Sequence, residues 1–207
     1  SLPLNSTLPS DIEIPEDCSS GEELNARNYL HKRGITQEMM DRYSIRVSLE
    51  QTGPYRNSII FPVYSPGMGT IEYFVCRKYD DSKPKYVNAP WAKGETLYIA
   101  RNEKCSDTYI IVEGIFDALA IASAGHVGIA LLGKTATSQQ LSRLSSLHSG
   151  YIIYLDEDAL SQAVHLKLQL DALDNKSTLL RHSSDAADLY MLDKGKYLNQ
   201  MISYALK

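Results

Sequence analysis

Tyr109-Ile110-Ile111-Val112-Glu113-Gly114-Ile115-Phe116-Asp117 opens the part of the chain whose reading decides the fold, and the same design returns twice before Leu189. Tyr151-Ile152-Ile153-Tyr154-Leu155 runs into Asp156-Glu157-Asp158, and Ser177-Thr178-Leu179-Leu180 is followed by Ser184-Asp185-Ala186-Ala187-Asp188. Each apolar run is continuous rather than alternating, as in strands buried on both faces of a parallel sheet. Between the runs lie stretches with helical spacing, Ile115 to Ala124, Ser138 to Leu147 and Ala159 to Leu173, and Ile129 to Leu132 reads as a further buried strand. The order is strand, helix, strand, helix, strand, helix, strand, a doubly wound α/β pattern whose ligands sit outside the carboxyl ends of the strands. Glu113, Asp156 and Asp158 all fall at that edge.

Carboxylates gathered at one edge repel one another, so a cation is expected among them. Hard oxygen donors suit Mg²⁺ or Mn²⁺, with substrate phosphates completing the coordination. Asp117 adds a carboxylate one helical turn after Glu113. Asp185 and Asp188 have two readings, as further ligands or as acids capping a helix that begins near Ala187.

A competing motif sits in the same region. Gly128-x-x-x-x-Gly133-Lys134-Thr135 matches the P-loop pattern, and Ile152 to Asp156 with Glu157 resembles its acidic partner strand. A phosphate-cradling loop needs free backbone amides, whereas Ile129-Ala130-Leu131-Leu132 has the character of a buried strand whose amides are already committed. The ATPase reading is disfavoured on that ground.

The acid pattern, Glu113-Gly114 after one strand, Asp156-x-Asp158 after a later one and an acidic pair after the next, resembles the Toprim domain shared by primases, topoisomerases and some nucleases. Upstream, Arg56-Asn57-Ser58-Ile59-Ile60-Phe61-Pro62, Pro84-Lys85-Tyr86-Val87-Asn88 and Lys93-Gly94-Glu95-Thr96-Leu97-Tyr98 resemble, in that order, segments of the RNA-polymerase domain of bacterial and phage DNA primases. Tyr29-Leu30-x-x-Arg33-Gly34-Ile35 is similar to that domain's opening helices, so the likeness runs from about Leu24 to Tyr190. It implies a Toprim-type four-stranded parallel sheet with flanking helices, preceded by a small mixed α/β subdomain.

The implied activity is metal-dependent synthesis of short RNA primers from ribonucleoside triphosphates on a single-stranded DNA template, with two or more Mg²⁺ or Mn²⁺ ions. Glu113 would orient or activate the 3′-hydroxyl, Asp156 and Asp158 would hold the ions on the nucleotide phosphates, and Asp117, Asp185 and Asp188 would complete the metal set. Arg56, Arg77, Lys85, Asn88 and Lys93 would bind nucleic acid or nucleotide. A separate zinc-binding module and a replicative helicase are the implied partners, and the bacterial or phage-infected cytoplasm is the implied compartment. Two departures stand out: Glu157, where primases commonly carry glycine, and Lys134, which looks inserted in a Gly-Thr turn. A Toprim nuclease and a non-catalytic single-strand-binding protein are the rival readings; the primase-like segments at Pro84–Asn88 and Lys93-Gly94 argue against the nuclease.

The bounds agree. The 207 residues are 43% hydrophobic, enough for a sizeable core. No apolar run reaches the length of a membrane span. Cys18, Cys76 and Cys105 are too few and scattered for a disulfide frame or a zinc site, so no zinc module is expected in this sequence. The net charge of −4 requires any nucleic-acid binding to come from a local patch such as Arg56, Arg77, Lys78, Lys83, Lys85 and Lys93. Three segments are expected: an extended leader over 1–20, a nucleic-acid-binding subdomain over 21–106, and a catalytic subdomain over 107–207 with two closing helices. A hairpin is expected from Ile59–Tyr64 and Thr70–Arg77, with Pro62 pointing to an edge position for its first strand.

Overall fold

The computed structural model describes residues 18–19, 24–65, 69–89, 93–101, 108–147 and 150–206, with the side chains of Cys18, Ser19 and Lys93 excepted. Most of the leader expected over 1–20 therefore lies outside the described residues. Two compact units divide the chain: residues 1–31 with 36–93, and residues 32–35 with 94–207.

In the first unit, β1 (Cys18–Ser19), α1 (Leu24–His31), α2 (Gln37–Arg42), β2 (Arg46–Ser48), β3 (Ser58–Tyr64), β4 (Ile71–Lys78) and β5 (Tyr86–Asn88) follow in chain order. Thr36 caps α2 by accepting the Met39 N–H at 3.3 Å. The strands form an antiparallel sheet in sequence order, β1-β2-β3-β4-β5. β3 and β4 make the expected hairpin, but β3 is interior rather than an edge strand. The proline is accommodated because β2 pairs only with Ile59 and Ile60, so Pro62 faces a strand on one side alone.

The second unit carries β6 (Tyr98–Ala100), β7 (Tyr109–Val112), α3 (Ile115–Ser123), β8 (Val127–Ala130), α4 (Ser138–Ser146), β9 (Tyr151–Ile153), α5 (Leu160–Ala172), β10 (Ser177–Leu179), α6 (Ala186–Asp193) and α7 (Lys196–Ala205). Its sheet runs β10-β9-β7-β8-β6, with four parallel strands and the antiparallel β6 closing one edge. Tyr98–Ala100, read from the sequence as part of the first subdomain, pairs with β8 in this sheet.

Strand alternation divides the two faces. Ile111, Ile129 and Ile153 share a face with Leu141 and Leu144 of α4 and Leu166 and Leu170 of α5 in one buried cluster. Gly128 belongs to the opposite face, where α3 lies so close that a Cβ on Gly128 would stand 2.3 Å from the Ala118 carbonyl oxygen. The glycine that begins the P-loop pattern is thus there to let a helix approach a strand. Its neighbours pair with both β7 and β6, and the Leu131 N–H donates to the Val112 oxygen at 3.0 Å, so these amides have none left for a phosphate.

The chain winds from β7 outward to β8 and then returns to place β9 on the other side of β7. The reversal opens a crevice beyond the carboxyl ends of β7 and β9, the position where open α/β sheets bind ligands.

Candidate metal centre

Both strands that flank the reversal end in acid. β7 delivers half-buried Glu113, and β9, continued by Tyr154 and Leu155, delivers exposed Asp156 and Asp158. Each of these three residues offers a carboxylate oxygen within 4.8 Å of the other two, a spacing suited to a shared cation. The Asp156 N–H donates to Glu113 Oε1 at 3.2 Å, which ties the two strand ends together. A short 3-10 turn, Glu157–Ala159, carries Asp158 back over the edge; Glu157 itself is exposed and outside the three-carboxylate group.

Asp117 and Asp185 form the second tier. Asp117 sits in the first turn of α3, half-buried, and its Oδ1 accepts the Ala187 N–H at 3.0 Å. Asp185 is the N-cap of α6 and accepts the Asp188 N–H at 2.7 Å. The capping role read for this pair is therefore present, with Asp188 supplying the amide while its carboxylate stays exposed. Asp185 also acts on the site through its charge: burial first, and then the neighbouring Asp185, pushes the Asp117 carboxyl up to about 7. Burial, Asp185 and Asp158 raise Asp156 as well, and burial with Asp156 raises Glu113. Mutual repulsion of this kind, which raises the pKa values of neighbouring carboxylates, is what a divalent cation relieves.

Neighbouring groups fix these positions. The Tyr154 hydroxyl donates to the Ser184 oxygen at 2.6 Å, tethering the end of β9 to the loop that presents Asp185. Thr137 caps α4 in a capping box with Gln140, and its hydroxyl bonds the Gly94 carbonyl. Gln140 is 1% exposed and donates to the carbonyls of Thr96 at 2.7 Å and Leu131 at 2.8 Å, joining the 94–96 turn to the end of β8. Lys134, on the turn after β8, pairs with Asp158. The P-loop pattern drew attention to Lys134 for another chemistry, and no signal in the sequence pointed to its pairing with the acids. Tyr154 and Gln140 likewise gave no signal in the sequence.

Of the candidates of the first unit, Arg77 and Asn88 lie on strands, and Arg56, Lys85 and Lys93 lie outside them. Arg56 and Lys85 are exposed. Arg77 is half-buried: its Nε donates to the Tyr29 hydroxyl at 2.8 Å and its guanidinium lies 4.6 Å from the centre of the Tyr86 ring. The Asn88 Oδ1 at the end of β5 is buried with no hydrogen-bond partner among the described residues. Lys93 opens a 3-10 turn, Lys93–Glu95. Buried Lys78 donates to the Pro54 carbonyl at 2.8 Å and to that of Arg56, fixing the loop that carries Arg56.

Residues 110–190 match a family model described as Toprim-like. The DNA primase of Clostridium acetobutylicum is 37% identical over 121 residues, which cover 55% of this chain and 20% of that protein. Among solved structures, an E. coli primase catalytic core matches with a TM-score of 0.73 at 19% identity, covering 88% of this chain and 73% of that one. A DnaG primase catalytic domain bound to ssDNA matches with a TM-score of 0.71 at 19% identity, over 87% and 74%. The matched stretch, all within the second unit, is thus similar to a Toprim domain. The chain is similar in sequence to DNA primases and has the fold of a primase catalytic core, and it spans only about a fifth to two fifths of the length of primases such as those of Clostridium acetobutylicum (20%) and Rickettsia felis (39%). Among the described residues no helix is long and apolar enough to cross a membrane.

Proposed function

We propose that the chain is the catalytic core of a DNA primase, making short RNA primers from ribonucleoside triphosphates on single-stranded DNA in the bacterial or phage-infected cytoplasm. The observation that carries this is the group of Glu113, Asp156 and Asp158 carboxylates at the strand reversal of a primase-like fold. The donor set is oxygen only, which fits Mg²⁺ or Mn²⁺ and not a soft metal. Two such ions, when bound, neutralise phosphate charge and stabilise the attacking and leaving oxygens of an in-line displacement.

The chain's own residues do the remainder. Asp156 and Asp158, both exposed at the end of β9, would hold ions at the phosphates. Glu113, half-buried and anchored by the Asp156 N–H, is suited to orient a primer 3′-hydroxyl as it attacks the α-phosphorus with loss of pyrophosphate. Asp117 and Asp185 supply negative charge behind this layer and complete the metal set, with Asp188 as its outermost member. Arg56, Arg77, Lys85, Asn88 and Lys93 of the first unit are the proposed contacts to template or nucleotide. Cation and aromatic surfaces such as Arg77 on Tyr86 suit a single strand. A zinc-binding module and a replicative helicase are the proposed partners for template choice.

The test is incorporation of labelled ribonucleotides on single-stranded DNA with Mg²⁺ and then Mn²⁺, comparing wild type with Asp156→Asn. Short RNA products, reduced in the variant by roughly 100-fold or more as for loss of an electrostatic catalytic group, are expected. Metal-dependent degradation of the template instead of synthesis would assign the same carboxylates to a nuclease. Strand binding that persists fully in chelator, with no incorporation, would leave a binding protein.

A further inference from the structure

We propose that Lys134 is a tethered counter-ion of the acidic edge, occupying part of the place of a divalent cation and lowering the affinity of the site for it. The inference rests on the metal-site reading above. Lys134 follows Leu132 and Gly133 on the turn leaving β8, and β8 lies beside β7 in the sheet, so the turn emerges next to Glu113. Leu132, two residues before Lys134, takes a left-handed backbone conformation, φ 61°, unusual for a bulky side chain. The Lys134 ammonium is hydrogen-bonded to Asp158 Oδ2, and a carboxylate oxygen of Asp158 lies within 4.8 Å of oxygens of Glu113 and Asp156. The ammonium thus touches one of the three groups that a cation would share.

A divalent ion that takes Asp158 as a ligand must displace the ammonium or bind beside it. Either course opposes binding, since a fixed positive charge a few ångströms away repels the ion. The Lys134 side chain is 45% exposed, so the arm is free to leave and the competition is reversible. This lysine gives the edge an internal cation in the absence of metal and makes occupancy of the site sensitive to ion concentration.

The experiment is calorimetric titration of the chain with Mn²⁺ alone, in wild type, Lys134→Ala, Lys134→Gln, Lys134→Arg and Asp156→Asn, with circular dichroism to verify folding. Lys134→Ala and Lys134→Gln should tighten Mn²⁺ binding by about three- to tenfold at low salt, with a smaller gain at high salt, and Lys134→Arg should stay near wild type. A merely structural lysine would leave the affinity unchanged or weaken it, and either result overturns the inference. Mn²⁺ binding that is lost in Asp156→Asn yet indifferent to Lys134 overturns the counter-ion alone. Mn²⁺ binding that survives Asp156→Asn overturns the metal site itself, and the counter-ion with it.

Discussion

Asp117 shows how one residue links the site to stability. Its carboxyl, half-buried and facing Asp185 and Asp156, is raised from an ordinary aspartate value to about 7. A carboxyl raised by folding binds more protons in the native state than in the unfolded chain. Its favourable contribution is therefore fully present below about pH 4 and is lost as the pH rises through 7. Glu113 and Asp156 are shifted in the same direction. Asp117→Asn keeps an oxygen to accept the Ala187 N–H and removes the charge. In metal-free buffer the variant should match wild type near pH 4 and exceed it at pH 8 by on the order of 2 kcal/mol, discounted for partial exposure. Thermal melts across that range give the comparison; equal slopes for the two proteins would mean that Asp117 is not held protonated. Saturating Mg²⁺ should flatten the wild-type slope.

Among the elements, the pairing of α3 with β8 is the tightest constraint near the site. Gly128→Ala would drive a methyl group into the Ala118 backbone, which cannot move without carrying α3 and Asp117 with it. Overpacking of this kind costs about 1–3 kcal/mol, whereas Gly133→Ala, whose Cβ meets nothing within 4 Å, should be neutral. Paired urea titrations decide the point, and equal midpoints for the two variants would refute the close-approach argument. These elements were legible where the signal is local. Continuous apolar runs marked β7, β9 and β10, helical spacing marked α3, α4 and α5, and the acids stood at the strand ends. What escaped depends on pairing between distant segments. The three residues of β6 carry no pattern of their own and are strand only because β8 lies beside them. Pro62 suggested an edge, but the partner strand stops short of it. Lys134 reaches Asp158 only because β8 flanks β7, an adjacency set by the winding order and invisible in a P-loop match.

At the scale of the whole molecule, each unit has its own sheet, antiparallel in the first and mainly parallel in the second. The chemistry proposed for the chain divides along the same line, with the acids on the second unit and the basic candidates for nucleic-acid binding on the first. The claim on which everything else depends is that Glu113, Asp156 and Asp158 hold a divalent ion. The most direct measurement is an anomalous difference map from crystals grown with Mn²⁺. The account predicts a peak coordinated by these carboxylates at the ends of β7 and β9, absent from crystals of Asp156→Asn. A map with no peak at that edge, or one with the ion bound elsewhere and unmoved by the substitution, would contradict it.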